Sequence, residues 1–175
     1  GTPDLYRAEA VSRLQLAEAG ATAPALRFTR APFYALILSP LGHLPFRTAY
    51  FAWMALNLAA VAGFIVLWNG ADRTLTLTAC CCSVPLAAAV ANGQDLALLL
   101  FLVAAALRLF RSKHYLLAGL VLSMCAIKYH LFIVVPLALV AQRLWRVLAG
   151  AGIGALALTA LSFIAGGPHW PAAYL

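Results

Sequence analysis

From Ala49 onward the chain consists of six nearly unbroken apolar stretches, each closed by a short polar group. The first, 49–68, carries Tyr50, Trp53 and Trp68 near its ends, where aromatic side chains settle at a membrane–water boundary. Asn69-Gly70-Ala71-Asp72-Arg73 makes a polar turn into the second, 74–91, which Pro85 interrupts. Asn92-Gly93-Gln94-Asp95 leads into the third, 96–110, and Arg111-Ser112-Lys113-His114 closes it. The fourth, 115–127, stops at Lys128-Tyr129-His130; the fifth, 131–142, holds Pro136 and runs into Arg143; the sixth covers 147–165. The pattern predicts six membrane-spanning helices. A span needs roughly 17–25 residues, so the shorter ones must borrow flanking residues or sit in a locally thinned bilayer.

The chain ahead of these stretches differs. Residues 1–30 hold four of the ten arginines and three of the five acids, a mixed polarity that belongs outside the hydrocarbon. Asp4 is placed to cap a helix running to Ala19, with Gly20 near its stop. Ala31 to Pro45 is apolar but punctuated by Pro32, Pro40 and Pro45; too short for a span, it fits a helix lying at the membrane surface. The expected division is therefore a loop with surface helices over 1–48 and a transmembrane bundle over 49–175.

Composition sharpens this picture. Hydrophobic residues make up 65% of the chain and charged ones 10%, against roughly 45–50% and 25% in a soluble domain. That excludes a water-soluble globule and a disordered chain alike. The net charge of +7, from 12 Lys+Arg against 5 Asp+Glu, marks topology rather than a nucleic-acid partner. With Arg73, the cluster Arg108, Arg111 and Lys113, and the pair Arg143 and Arg146 on the cytoplasmic side, six spans alternate without exception. Residues 1–45, the 92–95 turn, Lys128, His130 and the tail from Gly166 then fall on the outer side of a plasma-membrane protein. Cys80, Cys81, Cys82 and Cys125 all lie in apolar runs and are expected to be buried as small hydrophobes, and Gly150, Gly152 and Gly154 to form helix-packing surfaces. The chain shows no signal peptide and ends in mid-pattern, as a piece of a longer protein would. No P-loop, nucleophile elbow, zinc-protease or dinucleotide-binding pattern is present. No metal site or cofactor is indicated.

The outer side collects the residues with chemistry. Lys128 breaks the cytoplasmic bias of the cations, and a cation there suits a lipid-borne phosphate. His130 can add a donor or a proton. Asn92 and Gln94 offer amides for sugar hydroxyls, and Gly93, Asp95, Tyr129 and the more distant His169 complete the group. The plain structural alternatives are a snorkelling lysine at a helix end, a packed interfacial histidine and an ordinary Asn-Gly turn between helices.

Several phrases occur in an order that resembles glycosyltransferase family 87, membrane enzymes that use polyprenyl-phosphate sugars. They are Asp4-Leu5-Tyr6, the run from Phe28 to Pro45, Ala49-Tyr50-Phe51-Ala52-Trp53, Asn92-Gly93-Gln94, Ala118-Gly119-Leu120 with Ile127-Lys128, and Trp145-Arg146. The family's Tyr-Pro-Pro is here Arg30-Ala31-Pro32, a departure on the acceptor side. The resemblance implies an all-α multi-spanning bundle of the GT-C type. It implies transfer of a mannose-like or arabinofuranose-like sugar from a polyprenyl-phosphate donor to a lipid or glycan acceptor at the extracytoplasmic face. It further implies a general-base Asp in the first outer loop, expected upstream of Gly1, with Asp4 the candidate inside the chain, and donor-phosphate contacts from Lys128 and His130. The sugar pocket would be formed by Asn92, Gly93, Gln94, Asp95 and Tyr129. A transporter or flippase-like bundle, or an inactive structural subunit, is the alternative.

Overall fold

The computed structural model describes residues 8–19, 30–68 and 70–174, and the backbone alone of Ala8, Ala10, Leu14, Gln15, Glu18, Ala19, His130, Leu131, Ala173 and Tyr174. Among the described residues every regular element is helical. Helix α1 spans Ala8–Ala19, α2 Pro32–Leu38 with a 3-10 turn Ser39–His43 behind it, and α3 Phe46–Leu67. Helices α4 (Arg73–Cys82) and α5 (Val84–Ala91) lead to α6 (Leu96–Arg111), α7 (Tyr115–Ser123) and a 3-10 segment Met124–Lys128. Four helices follow: α8 (Tyr129–Phe132), α9 (Val134–Ala141), α10 (Trp145–Gly166) and α11 (Trp170–Tyr174). Asp4, expected to cap α1, lies outside the described residues.

All six apolar stretches are helical, but they are not equal. Helices α3 and α10, 22 residues each, are long and apolar enough to cross a membrane, and α4 with α5 make a third crossing if their 61° bend is counted as one broken span. The break falls at Ser83 rather than at Pro85. Ser83 Oγ accepts from Leu86 N at 3.3 Å, capping α5, while Pro85 occupies the first turn, where its missing N–H has no intrahelical partner to lose.

The chain divides into two compact units, residues 47–156 and residues 1–46 with 157–175. Within the larger unit small side chains lie inside: Ala60, Ala97, Ala104, Ala118 and Ala151, with the polar Asn57, Thr76 and Ser123. Large apolar residues such as Phe51, Val84, Leu137 and Leu156 point outward. So much exposed apolar surface is incompatible with water and is what hydrocarbon solvent allows, since close helix approach there depends on small residues. The same logic corrects the expectation for the cysteines. Cys125 is buried, but Cys80 is only half-buried and Cys81 and Cys82 are exposed, because a small apolar side chain is as acceptable facing lipid as facing protein.

A seam of such small residues joins α7 to the first half of α10. A Cβ added at Gly119 would press on the Val147 carbonyl, one at Gly150 on that of Leu116, and one at Gly154 on Ser123 Oγ. Gly119-x-x-x-Ser123 thus faces Gly150-x-x-x-Gly154, and these glycines form the packing surface expected of them. Gly152 does not, for it faces open space.

In the smaller unit, α2 begins without a capping side chain, because Ala31 has none to offer. The N–H of Phe33 is one of the donors that a helix start leaves unpaired. It donates to Ser162 Oγ at 3.3 Å, and that hydroxyl donates to Leu158 O at 2.9 Å. Pro32, Phe33 and Tyr34 are buried, and Phe163 meets the edge of Trp170 with ring centres 5.8 Å apart.

Three connections of the larger unit end in one cap. After α5, Gly93 N donates to Val90 O and Gln94 N to Ala89 O; after α6, Lys113 N to Phe110 O and His114 N to Leu109 O; after α9, Arg143 N to Val140 O and Leu144 N to Leu139 O. This paired pattern puts one residue in the left-handed region, usually Gly. Gly93 is there at φ +66°, but so are Lys113 at +65° and Arg143 at +55°.

Candidate functional site at the 92–95 turn

The turn between α5 and α6 is held from outside itself. Trp53 Nε1 on α3 donates to Gly93 O at 2.7 Å, and Tyr50 OH, one turn earlier, donates to Ala91 O at 2.8 Å. Two aromatic side chains thereby fix the backbone of the turn and leave the side chains of Asn92 and Gln94 exposed. One turn deeper, Asn57 is buried, its Nδ2 donating to Trp53 O at 3.0 Å. Its Oδ1 finds no donor among the described residues.

Asp95, the residue before α6, is only 2% exposed and its Oδ1 stands 3.3 Å from Lys128 Nζ, itself 15% exposed. Helix geometry brings them together. Chain reversal at Ser112 to His114 packs α7 antiparallel to α6, and the 3-10 segment carries the chain back to the level where α6 began. At Lys128 the backbone leaves helical conformation, with φ −111° and ψ 84°, before α8 restarts. Short 3-10 segments inside helices often mark functional positions. Each charge here would be expensive to bury alone, and each offsets the desolvation of the other.

Of the residues singled out in the sequence, Asn92, Gly93, Gln94, Asp95 and Lys128 thus meet at one end of the α6 and α7 pair. Tyr129 follows Lys128 directly and is more than half exposed. His130 lies in α8 through its backbone, His169 is exposed in the other unit, and Asp4 is outside the described residues. Among the described residues no three His, Cys, Asp or Glu side chains cluster closely enough to hold a metal ion. The sequence places Trp53 and Tyr50 at a membrane boundary without their contacts to the turn, passes over Asn57, and assigns Asp95 and Lys128 to different tasks. One signal for their pairing was present: Asp95 is the last acid of the chain, and Lys128 is the one cation between Lys113 and Arg143. Two isolated opposite charges in apolar surroundings have reason to meet.

Residues 28–175 match the model of glycosyltransferase family 87. No curated protein and no solved structure matches the chain.

Proposed function

The chain belongs to glycosyltransferase family 87 and is a membrane glycosyltransferase; from that premise we propose that it moves a sugar from a polyprenyl-phosphate carrier to a lipid or glycan acceptor at the extracytoplasmic face, using the end of the bundle where Asp95 meets Lys128. The observation that carries this reading is the 3.3 Å contact between Lys128 Nζ and Asp95 Oδ1 beside the clamped turn. An ammonium has three donors. Asp95 takes one and fixes the direction of the others, which are then available to a phosphate oxygen as it leaves the anomeric carbon. A preorganised cation at developing charge is worth about 10²–10³ in rate. Asn92 and Gln94, exposed on a turn that Trp53 and Tyr50 hold still, supply amides for sugar hydroxyls, Tyr129 adds a phenol, and His130 a second donor to the phosphate.

The acceptor hydroxyl must lose its proton as its oxygen bonds to the anomeric carbon and the bond to the carrier phosphate breaks. An aspartate general base contributes roughly 10²–10⁴ to such a step. Asp4, or an Asp preceding Gly1, is assigned that role. The charge bias supports the outward placement: with Arg108, Arg111, Lys113, Arg143 and Arg146 on the cytoplasmic side, as basic loops prefer, the end of α6 and α7 that carries Asp95 and Lys128 faces outward.

The test is transfer from polyprenyl-phosphate mannose and polyprenyl-phosphate arabinofuranose in proteoliposomes carrying the whole protein. Changing the pair together, Asp95→Asn with Lys128→Gln, removes both charges without stranding either. This variant is expected to insert and fold but to transfer at least about 100-fold more slowly. Wild-type turnover in it would remove the phosphate role from Lys128. The helix breaks at Ser83 and Lys128 are also features of transporters, and flux of the carrier lipid without sugar transfer would favour that reading.

A further inference from the structure

At the opposite end of α6 and α7 the starts of α7 and α10 enclose a groove of about 490 Å³. Lys113, His114 and Arg146 form its polar rim, and Leu116, Leu117 and Trp145 its apolar wall. We propose that this groove binds the headgroup of an anionic phospholipid. The site is separate from the transfer site and does not depend on the function assigned to it.

Charge is the first argument. Arg111 and Arg143 stand next to the rim in the same two turns, and the sequence from 96 to 175 contains no Asp or Glu. The two acids of the larger unit are engaged elsewhere: Asp72 accepts from Thr74 N and Leu75 N as the cap of α4, and Asp95 faces Lys128 at the far end of α6. A phosphodiester supplies the missing negative charge. The Arg146 guanidinium can take it with two parallel N–H donors, while Lys113 acts as a point charge.

Shape is the second. Trp145, Leu116 and Leu117 are exposed and line the same groove as the cations, so a headgroup at the rim would lay its acyl chains along an apolar wall. Free phosphate would use the rim alone. A tryptophan at that level belongs to the boundary between headgroups and hydrocarbon.

Backbone conformation is the third. Lys113 and Arg143 occupy left-handed cap positions that Gly93 fills at the other end. The chain thus places cations at two turns where local geometry favours glycine, and strain kept in place at a particular side chain is a reason to look for what that side chain binds.

The experiment is native mass spectrometry of the full protein released from detergent with phosphatidylglycerol or phosphatidylcholine of identical acyl chains. Phosphatidylglycerol should be retained selectively. At about 1 kcal/mol per cation near an anionic lipid, removing one cation should lower retention about five-fold. Lys113→Gly is the informative variant, because it deletes the charge at a position where glycine is the comfortable residue, so misfolding does not explain a loss. Arg146→Gln should act in the same direction, and Arg47→Gln, at the start of α3, should leave retention unchanged. Equal retention of the two lipids, or unchanged retention in the double variant Lys113→Gly with Arg146→Gln, would overturn the proposal. So would thermal protection by inorganic phosphate as strong as that by phosphatidylglycerol, which would make the rim a soluble-anion site.

Discussion

At one end of the antiparallel pair α6 and α7, the entering turn closes on Gly93 and the two charges there, Asp95 and Lys128, face each other with little access to solvent. At the other end the turn closes on Lys113, and Arg108, Arg111 and Arg146 gather with no acid in the following chain. The hydrogen bonds of the two caps are the same, so backbone geometry does not set the two ends apart. The difference is whether charge is balanced. A buried, matched pair defines direction for a third group and suits chemistry, whereas an exposed surplus suits a membrane surface and the orientation of the bundle in it.

The largest expected effect comes from unbalancing the matched end. Lys128→Ala takes the ammonium away from the nearly inaccessible Asp95 carboxylate, and breaking a buried pair from one side costs about 3–5 kcal/mol. The neutral double variant removes the pair whole and should recover most of that stability while remaining deficient in transfer. Unfolding of both proteins in mixed micelles, followed by loss of helical circular dichroism, separates the two effects. If Lys128→Ala unfolds like the wild type, the pair is solvated and the contrast between the ends disappears.

Between the ends lies the α7 and α10 seam, whose contacts at Gly119 and Gly150 are nearest the basic side. Gly150→Ala drives a methyl group into the Leu116 carbonyl and should cost about 1–3 kcal/mol as the helices separate. Gly152→Ala, two residues on, meets open space and should gain up to about 1 kcal/mol from helix propensity. The opposite signs, read in one melting experiment, would show that the seam rather than glycine content holds α10 in place. Equal shifts would show that it does not.

Much of this arrangement is written locally. The Asn92-Gly93 dipeptide, the basic turns and the apolar lengths locate the connections to within a few residues, because each acts through its own backbone or its own solvation. Pro85 announces an interruption, although the helix restarts at Val84, since proline is tolerated in a first turn. Contacts between distant residues were not legible: Ser162 with Phe33, Trp53 with Gly93, Lys128 with Asp95. In a stretch such as α3 or α10 nearly every position is apolar, so no periodicity tells a lipid-facing side from a protein-facing one. For that reason Cys81, Cys82 and Gly152 were assigned to an interior they do not reach, and Asn57, the buried polar residue of α3, attracted no notice.

The smallest effect tests the comparison most directly, because it exchanges the two caps. Gly93→Ala places a Cβ in the left-handed region, where an L-residue costs roughly 1–2 kcal/mol, and its Cβ would stand 3.6 Å from the Trp53 ring, an ordinary contact that adds no clash. Lys113→Gly relieves the same strain, less about 0.5–1 kcal/mol for the extra freedom glycine has in the unfolded chain. The first variant should therefore melt lower, and the second should be more stable by about 0.5–1 kcal/mol. With the basic end stabilised and its lipid selectivity reduced, the lysine would stand as a residue kept for its charge against the preference of its own backbone. Were Lys113→Gly instead to destabilise the protein, the lysine would be contributing to the fold itself, and its position at a left-handed cap would carry no functional meaning.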